Sequence, residues 1–274
     1  MLYLAQVFTC AVTLPVKYES NMTAKIIFLL GKRKLVTTPA PFTVSTIATI
    51  ATPFKQKFAI PRQPNLAKAH GIITFEEGFN DIHMLKGIES YSHLWLLFIF
   101  HQNIERGWKN TVKAPRLGGN ATMGVLATRS THRPNSIGMS VVKNNGLLHD
   151  KGKTHLLVEG VDLVDGTPLI DIKPYICYAD SVPNASDELD DISPIPQRHV
   201  KFLDSLKPTL SEIDKKYSDF TALVTAVLAQ DPRPAYKQKL DNDEKTYRVT
   251  LYDIDVGFKV KSSVVWVTEL VHLG

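Results

Sequence analysis

Short segments rich in β-branched residues, separated by turns that contain glycine or proline, dominate the middle of this chain. They lie at residues 43–50, 91–101, 124–128, 139–143 and 154–160, with no long helical pattern between them. The first alternates between apolar and polar positions, whereas residues 91–101 are apolar almost throughout, which is typical of a strand buried on both faces. Several short strands at close spacing predict a barrel or a sandwich.

The C-terminal third shows a different pattern, which begins after an acidic, proline-containing stretch. We interpret this stretch, residues 182–199, as a linker. Apolar residues at helical spacing over residues 200–228 predict helices, which Pro208 is expected to divide in two. Residues 245–256 and 258–271 alternate again and predict a hairpin. The chain is therefore expected to have a mainly-β core and a small C-terminal α+β domain.

Residues 1–41 differ from the rest of the chain. They carry five basic side chains and one acidic one, so the remainder contributes only +1 to the net charge of +5. The first sixteen residues lack the basic start and the clear cleavage site of a secretory signal. We expect a poorly ordered extension, which is either a disordered tail or a stretch that precedes the true translation start at Met22. A targeting presequence is the less favoured alternative.

Composition excludes several classes of protein. An apolar share of 44% rules out a wholly disordered chain, and no uninterrupted apolar run reaches the ~18–20 residues of a membrane helix. Because the body of the chain is nearly neutral, any contact with nucleic acid must come from local patches. Two cysteines, Cys10 and Cys177, exclude a disulfide framework and a cysteine zinc site, which fits a reducing compartment.

Familiar catalytic motifs are missing from the sequence. No G-x-G-x-x-G follows a strand pattern, and no P-loop, H-E-x-x-H or G-x-S-x-G occurs. The nine histidines are scattered without the spacing of metal ligands, so we expect a metal-free site.

Four polar clusters stand out within apolar surroundings. They lie at residues 58–64, 101–102, 115–139 and 162–175. Arginines among glycines and hydroxyl side chains, such as Arg129 and Arg133, suit the recognition of carboxylate or phosphate oxygens. Each cluster, taken singly, also fits a purely structural role. In chain order these roles are a proline-rich turn, a strand cap, a generic loop and a turn cap.

Asp162 and Asp165 flank a tight turn in the fourth cluster. They could accept hydrogen bonds from hydroxyl or amino groups, act as an acid/base pair, or cap the turn.

Together the four clusters closely resemble the TsaA-like domain of the TrmO family of S-adenosylmethionine-dependent tRNA methyltransferases. The strings KFAIPRQP, SHLWLLFIFHQ, RLGGNATMGVLATRSTHRPNSIGMS and DLVDGTPLIDIKPY carry the resemblance, and DPRPAY at residues 231–236 extends it beyond the linker. Ser136 stands where the family typically has proline, a change expected to loosen that turn slightly.

The resemblance implies a single-sheeted β-barrel over residues 42–181, followed by the linker and by an α+β domain over residues 200–274. It also implies a homodimer that binds S-adenosylmethionine near the subunit interface. Carried over by motif, the cofactor contacts fall on Pro61, Arg62, Gln63, His101, Gln102, Arg129, Met139, Asp162, Leu163, Val164 and Asp165.

The reaction implied is methylation of N6 of N6-threonylcarbamoyladenosine at position 37, next to the anticodon of a threonine tRNA. On the acceptor side we expect Asp231, Arg233 and Tyr236, since two prolines stiffen a loop that offers a carboxylate, a guanidinium and an aromatic ring. The alternative for this loop is a structural turn that ends a helix. Further candidates, for contacts with tRNA phosphates, are Lys237, Lys239, Lys245 and Arg248.

The partners expected are the anticodon stem-loop of a tRNA and a second copy of the chain, with no membrane and no metal, in the cytoplasm. Two other functional classes stay open. One is a non-catalytic module that binds cofactor or RNA, and the other is a hydrolase that uses Asp162 and Asp165 as paired carboxylates.

Overall fold

Strands make up most of the described chain. A computed structural model describes residues 43–113, 121–186 and 194–274, and those from Val44 to Gly274 form one compact unit. The strands are β1 Ala48–Ala51, β2 His70–Phe75, β3 His93–Ile99, β4 Thr111–Lys113, β5 Thr122–Gly124, β6 Ile137–Asp150, β7 Lys153–Glu159, β8 Thr167–Pro174, β9 Val200–Phe202, β10 Asp243–Leu251, β11 Ile254–Lys261 and β12 Val264–His272. The α-helices are α1 Cys177–Asp180, α2 Lys207–Lys216, α3 Phe220–Ala229 and α4 Ala235–Gln238.

The expected N-terminal extension, residues 114–120 with Arg116, and part of the expected linker lie outside the described residues. No helix in the described ranges is long and apolar enough to cross a membrane.

Six antiparallel strands form the larger sheet, in the order β1-β2-β7-β6-β3-β8. Strand β1 pairs with β8 as well as with β2, so the sheet closes on itself as a barrel without free edges. The prediction of a mainly-β protein is confirmed.

Strand β3 departs from its expected burial on both faces. Leu94, Leu96 and Phe98 point into the core and are at most 5% exposed, while the residues between them are only half-buried. The apolar outer face of this strand is therefore partly covered rather than enclosed.

The smaller sheet has the order β10-β11-β12-β9, and β9 is parallel to β12. Helices α2 and α3 supply buried residues such as Ile213, Phe220 and Val224 to the core that they share with this sheet. The predicted hairpin is a three-stranded meander instead. Its second turn consists of Ser262 and Ser263, both with positive φ, where glycine or asparagine would have given a turn signal.

Three other local predictions were wrong in part. Residues 200–202 form a strand, and the first helix begins at Lys207 with Pro208 in its first turn, a position that suits proline. The break between helices falls at Asp219, which takes a left-handed φ of 64°. In the segment at residues 124–128, β5 ends at Gly124 and a 3-10 turn follows.

The C-terminal elements pack onto the chain segment that precedes β2. Phe54 forms a bridge with Leu251, and the Tyr252 amide donates to the Pro53 carbonyl at 2.7 Å. From the end of α3, Gln230 Nε2 donates to the Leu66 carbonyl at 3.3 Å. Between these contacts lie residues 55–65, of which Lys57 and residues 60–63 line the cavity described next.

Candidate functional site

A cavity of about 470 Å³ opens at one end of the barrel. Its wall combines Lys57 and residues 60–63, the end of β3 with the 3-10 turn that follows, the loop before β6 together with the start of β6, and the turn before β8. Four segments that are far apart in sequence meet here because β3, β6 and β8 are neighbours in the barrel. The volume lies in the range of small-molecule sites.

Ten of the eleven residues expected to contact a cofactor line this cavity. They are Pro61, Arg62, Gln63, His101, Gln102, Arg129, Met139, Asp162, Leu163 and Val164. The eleventh, Asp165, does not line it. One of its carboxylate oxygens accepts from the Thr52 amide at 2.8 Å and the other from Lys55 Nζ at 2.6 Å. Asp165 thus holds the β1 end of the turn rather than facing the cavity.

Asp162 is the single carboxylate among the described residues of the wall. Burial raises its pKa from 3.8 to about 6, although a hydrogen bond from Ser140 and the positive charge of Arg129 act in the opposite direction. The Ser140 hydroxyl donates to Asp162 Oδ1 at 2.6 Å and thereby fixes the carboxylate. A buried, pre-oriented carboxylate is suited to accept from an ammonium or hydroxyl group of a ligand.

Arg129 provides the opposite charge. Its Nη1 donates to Gln63 Oε1 at 2.5 Å, which ties the loop before β6 to the segment at residues 60–63. The remaining donors of its guanidinium can serve a carboxylate or phosphate.

Two phenylalanine side chains form an apolar part of the cavity wall, on the side of the barrel core. Phe98 and Phe100 meet edge to face with 5.3 Å between ring centroids. Gly138 lies opposite Phe98 in the β3–β6 pairing, and a Cβ atom there would come within 2.3 Å of the Phe98 ring. Glycine is therefore required for the Phe98 ring to approach β6 this closely.

Lys57, Asn103 and Ser140 are among the wall residues that the sequence analysis did not single out. Lys57 Nζ donates to Asn103 Oδ1, and Asn103 Nδ2 donates to Thr131 Oγ1 at 2.9 Å. Each of the three lies within or beside one of the sequence motifs that carry the family resemblance, but its residue type alone did not distinguish it from an ordinary surface residue. An asparagine directly after His101-Gln102 was the one available signal.

The turn that contains Ser136 does not have the loosened geometry that was expected from the absence of proline. Asn135 and Ser136 both have positive φ, at 62° and 51°. The Ser136 amide donates to Arg133 O at 3.1 Å, and its carbonyl accepts from Phe100 N at 2.8 Å. Proline has neither that amide hydrogen nor access to that φ, so this chain's turn is built on serine.

The DPRPAY loop lies outside the cavity wall. Asp231 and Arg233 are 0% and 1% exposed and make a two-point contact, with Arg233 Nε and Nη2 donating at 2.8 and 2.7 Å. Arg198 Nε adds a further bond to Asp231 at 2.7 Å. Burial on its own would raise the pKa of Asp231, but these arginines outweigh it and hold the pKa below its ordinary value.

This geometry favours the alternative reading of the loop as a turn that ends a helix. Asp231 lies two residues after the end of α3 and takes a φ of 47°. Neither Asp231 nor Arg233 is accessible to a substrate in this arrangement, because both side chains are enclosed. Tyr236 is 72% exposed in α4 and is the member of the expected trio that faces solvent.

The expected phosphate contacts are not equally available. Arg248 is engaged by Asp255 and Glu269, and Lys237 lies 3.6 Å from Asp243 Oδ2. Lys239 and Lys245 are exposed, with Lys245 Nζ 5.3 Å from the centre of the Tyr247 ring.

Comparison with known proteins matches both parts of the chain to family models. Residues 49–181 match the model described as tRNA-methyltransferase O N-terminal domain. Residues 195–273 match the model described as TrmO C-terminal domain.

Curated relatives match over most of their own length. The tRNA (adenine(37)-N6)-methyltransferase of Escherichia coli K12 is 46% identical over 220 residues, which is 80% of this chain and 93% of that protein. RcsF of Pseudomonas aeruginosa, which carries the name of an S-adenosylmethionine-dependent methyltransferase, is 44% identical over 78% of this chain and 90% of its own.

Solved structures agree with the sequence matches. A crystal structure of TrmO from Pseudomonas aeruginosa superposes with a TM-score of 0.70 at 36% identity and covers 86% of this chain and 99% of its own. A second gives a TM-score of 0.68 at 35% identity.

Proposed function

This chain belongs to the tRNA-methyltransferase O family, and from that premise we propose that it is an S-adenosylmethionine-dependent tRNA methyltransferase acting on N6 of adenosine 37. One observation carries the proposal beyond likeness. Ten residues from four distant segments, to which the family resemblance assigns cofactor contacts, line one cavity.

The donor set of the cavity fits S-adenosylmethionine. This molecule presents a carboxylate, an ammonium, two ribose hydroxyls and an adenine ring. Asp162 offers a buried acceptor, Arg129 offers guanidinium donors, and Phe98 and Phe100 border the cavity with apolar surface. We assign Asp162 to the ammonium or a hydroxyl, and Arg62 or Arg129 to the carboxylate.

The chain's main task in methyl transfer is positioning. When bound, S-adenosylmethionine supplies a methyl group on a positively charged sulfur. An in-line approach of the acceptor nitrogen is then required, and well-oriented reactants gain much of the rate from this placement alone. The closed barrel and the fixed pair of Ser140 and Asp162 give the cavity the necessary rigidity.

The finer statements that follow from the family resemblance belong to this proposal. The acceptor is N6-threonylcarbamoyladenosine in a threonine tRNA, and the active form is a cytoplasmic homodimer. Residues 42–181 form a single-sheeted barrel domain that holds the cofactor, and residues 200–274 form the acceptor-side domain. Residues 182–199 are the linker between these two domains. Exposed Lys239 and Lys245 are candidates for phosphate contacts.

Roles within the DPRPAY loop follow from burial. Because Asp231 and Arg233 are enclosed and paired, we propose that they position the loop and do not touch the substrate. Tyr236, exposed on α4, is the residue that stacks on a base of the anticodon loop.

Paired-carboxylate hydrolysis fits the geometry poorly. Asp162 lines the cavity, whereas Asp165 is bonded to Thr52 and Lys55 and does not line it. The two carboxylates therefore do not face one substrate. The non-catalytic module is the second candidate, and turnover distinguishes it from the enzyme.

We expect replacement of Tyr236 by alanine to lower kcat/KM for tRNA about 10- to 100-fold, because base–aromatic stacking contributes roughly 1–3 kcal/mol per base. Tyr236→Phe keeps the ring and should retain most activity. Steady-state kinetics with a titrated tRNA checks both variants, and the affinity for cofactor should not change. Equal losses in the alanine and phenylalanine variants would contradict a stacking role.

The proposed function is tested by incubating the purified full-length chain with methyl-labelled S-adenosylmethionine and threonine tRNA. One tRNA sample carries the threonylcarbamoyl group at adenosine 37 and the other does not. Nucleoside mass spectrometry should show methyl gain only on the modified adenosine. Cofactor binding without methylation of either tRNA would favour the non-catalytic module.

A further inference from the structure

Positive charge exceeds negative charge around the cofactor cavity. Among the described residues, the wall carries the cations Lys57, Arg62, Arg129 and Arg133, against the one carboxylate of Asp162. The proposed cofactor would satisfy one of these cations with its carboxylate, but its ammonium and sulfonium groups add two positive charges. The imbalance therefore remains when the cofactor is in place.

Lys57 and Arg129 are exposed at this wall, so both are available to an anion that arrives with the substrate. An unmodified adenine base is neutral and would leave the imbalance uncorrected. The charge pattern thus points to an acceptor that brings its own negative group into the cavity, close to the reacting nitrogen.

Lys57 is the cation best placed to receive that group. Across the three described stretches, its Nζ has only neutral hydrogen-bond partners, Asn103 Oδ1 and the Gln102 carbonyl, the latter at 3.5 Å. Asn103 is 4% exposed and is itself held by Thr131, so the amine is oriented before any ligand binds.

The electrostatic environment of Lys57 is consistent with a binding site for an incoming anion. Burial, together with the positive charge of Arg106, lowers the pKa of Lys57 below its usual value. An incoming carboxylate would reverse this effect, since an opposite charge stabilises the protonated amine.

The position of Lys57 also faces the acceptor side. A smaller cavity of about 200 Å³ lies beside the first, and Gln230 and Pro232 at the DPRPAY loop form part of its wall. Lys57 lines both cavities. Arg62 does so too, but it already has an interaction partner. Arg129 and Arg133 line only the larger cavity, where they bond to Gln63 and to the Thr128 carbonyl.

We propose that Lys57, oriented by Asn103, binds the carboxylate of the N6 substituent of the acceptor adenosine and thereby selects acid-bearing over neutral acceptors. This inference rests on the proposed function. It makes Lys57 a specificity determinant that contacts the substituent, while the cofactor is held by the other wall residues.

The test uses three synthetic anticodon stem-loop RNAs of one sequence. At position 37 they carry adenosine, threonylcarbamoyladenosine with a free carboxylate, or the same group as its primary amide. Because all three share the same phosphates, a difference between acid and amide reports on the carboxylate alone. Binding is measured in the presence of S-adenosylhomocysteine, and methylation is measured separately.

The wild-type protein should bind the acid about 10- to 100-fold more tightly than the amide, as expected for one charge-assisted hydrogen bond. Lys57→Gln should reduce this ratio to near one, and Lys57→Arg should restore part of it. Lys68→Gln, an exposed lysine of the same region outside the cavity, should leave the ratio unchanged.

Other outcomes overturn the inference in distinct ways. An unchanged acid-to-amide ratio in Lys57→Gln assigns the carboxylate to another cation. If Lys57→Gln weakens the binding of all three RNAs equally, Lys57 contacts a backbone phosphate instead. Absence of methylation with the binding preference intact refutes the proposed function but supports Lys57, because binding is read independently of turnover.

Discussion

Replacing Arg233 by methionine is expected to lower the free energy of unfolding by about 3–5 kcal/mol, which is the usual cost of breaking a buried ion pair. Asp231 would remain fully enclosed with Arg198 as its sole cationic partner within the described chain. For a unit of this size the midpoint of thermal unfolding should fall by about 10 °C. Differential scanning calorimetry or a urea titration measures the change.

Arg248→Met is the matched control, because Arg248 also bridges two carboxylates but lies at the surface. Exposed pairs contribute at most about 1 kcal/mol, so this variant should unfold close to the wild type.

Activity measured well below the unfolding midpoint separates the two readings of Arg233. A positioning residue predicts a destabilised Arg233→Met protein that retains cofactor affinity. If the variant is instead as stable as the wild type but methylates nothing, Arg233 touches the substrate, and the role first expected for it from the sequence is correct.

The sequence predicts element type well where side-chain patterning decides it. Alternation and β-branching were sufficient for a mainly-β chain, and the apolar run at residues 91–101 marked β3. The positions of the turns were predicted less well. The turn at Ser262 and Ser263 adopts positive φ without glycine, so one strand boundary had no sequence signal and a meander was mistaken for a hairpin.

Residue types alone do not reveal burial. Asp231 and Arg233 in a proline-rich string suggested an exposed, substrate-facing loop, yet the pair is enclosed because Arg198 closes over it. Asp162 and Asp165 present the converse case. They lie three residues apart, but the register of β1 against β8 draws Asp165 to Thr52 and leaves Asp162 facing the cavity.

Replacing Asp162 by asparagine is expected to stabilise the protein at neutral pH while weakening cofactor binding about 10- to 100-fold. The pKa of Asp162 is raised to about 6 in the fold, chiefly by burial. A raised folded-state pKa means that its contribution to stability is full below the unfolded value near 4 and is lost as pH rises through 6. Above pH 7 the ionised side chain therefore costs up to about 3 kcal/mol, which the amide removes.

Thermal unfolding across pH measures this effect. The variant should gain several degrees at pH 7–8 and nothing at pH 4, whereas Asp171→Asn, at a half-buried carboxylate on β8 outside the cavity, should show little change at either pH. A gain that is the same at both pH values would contradict the assignment to Asp162 ionisation.

Cofactor titration supplies the second arm of the same experiment. The wild-type affinity should weaken as pH falls below about 6, because protonation of Asp162 removes the charge that faces the cofactor's ammonium or hydroxyl group. The Asp162→Asn protein should bind weakly and equally at pH 5 and pH 7. Isothermal titration calorimetry distinguishes the two, and a pH-dependent variant would transfer the titrating role to another group of the cavity. Stability gained together with binding lost would identify Asp162 as a carboxylate retained for the ligand at a cost to the fold.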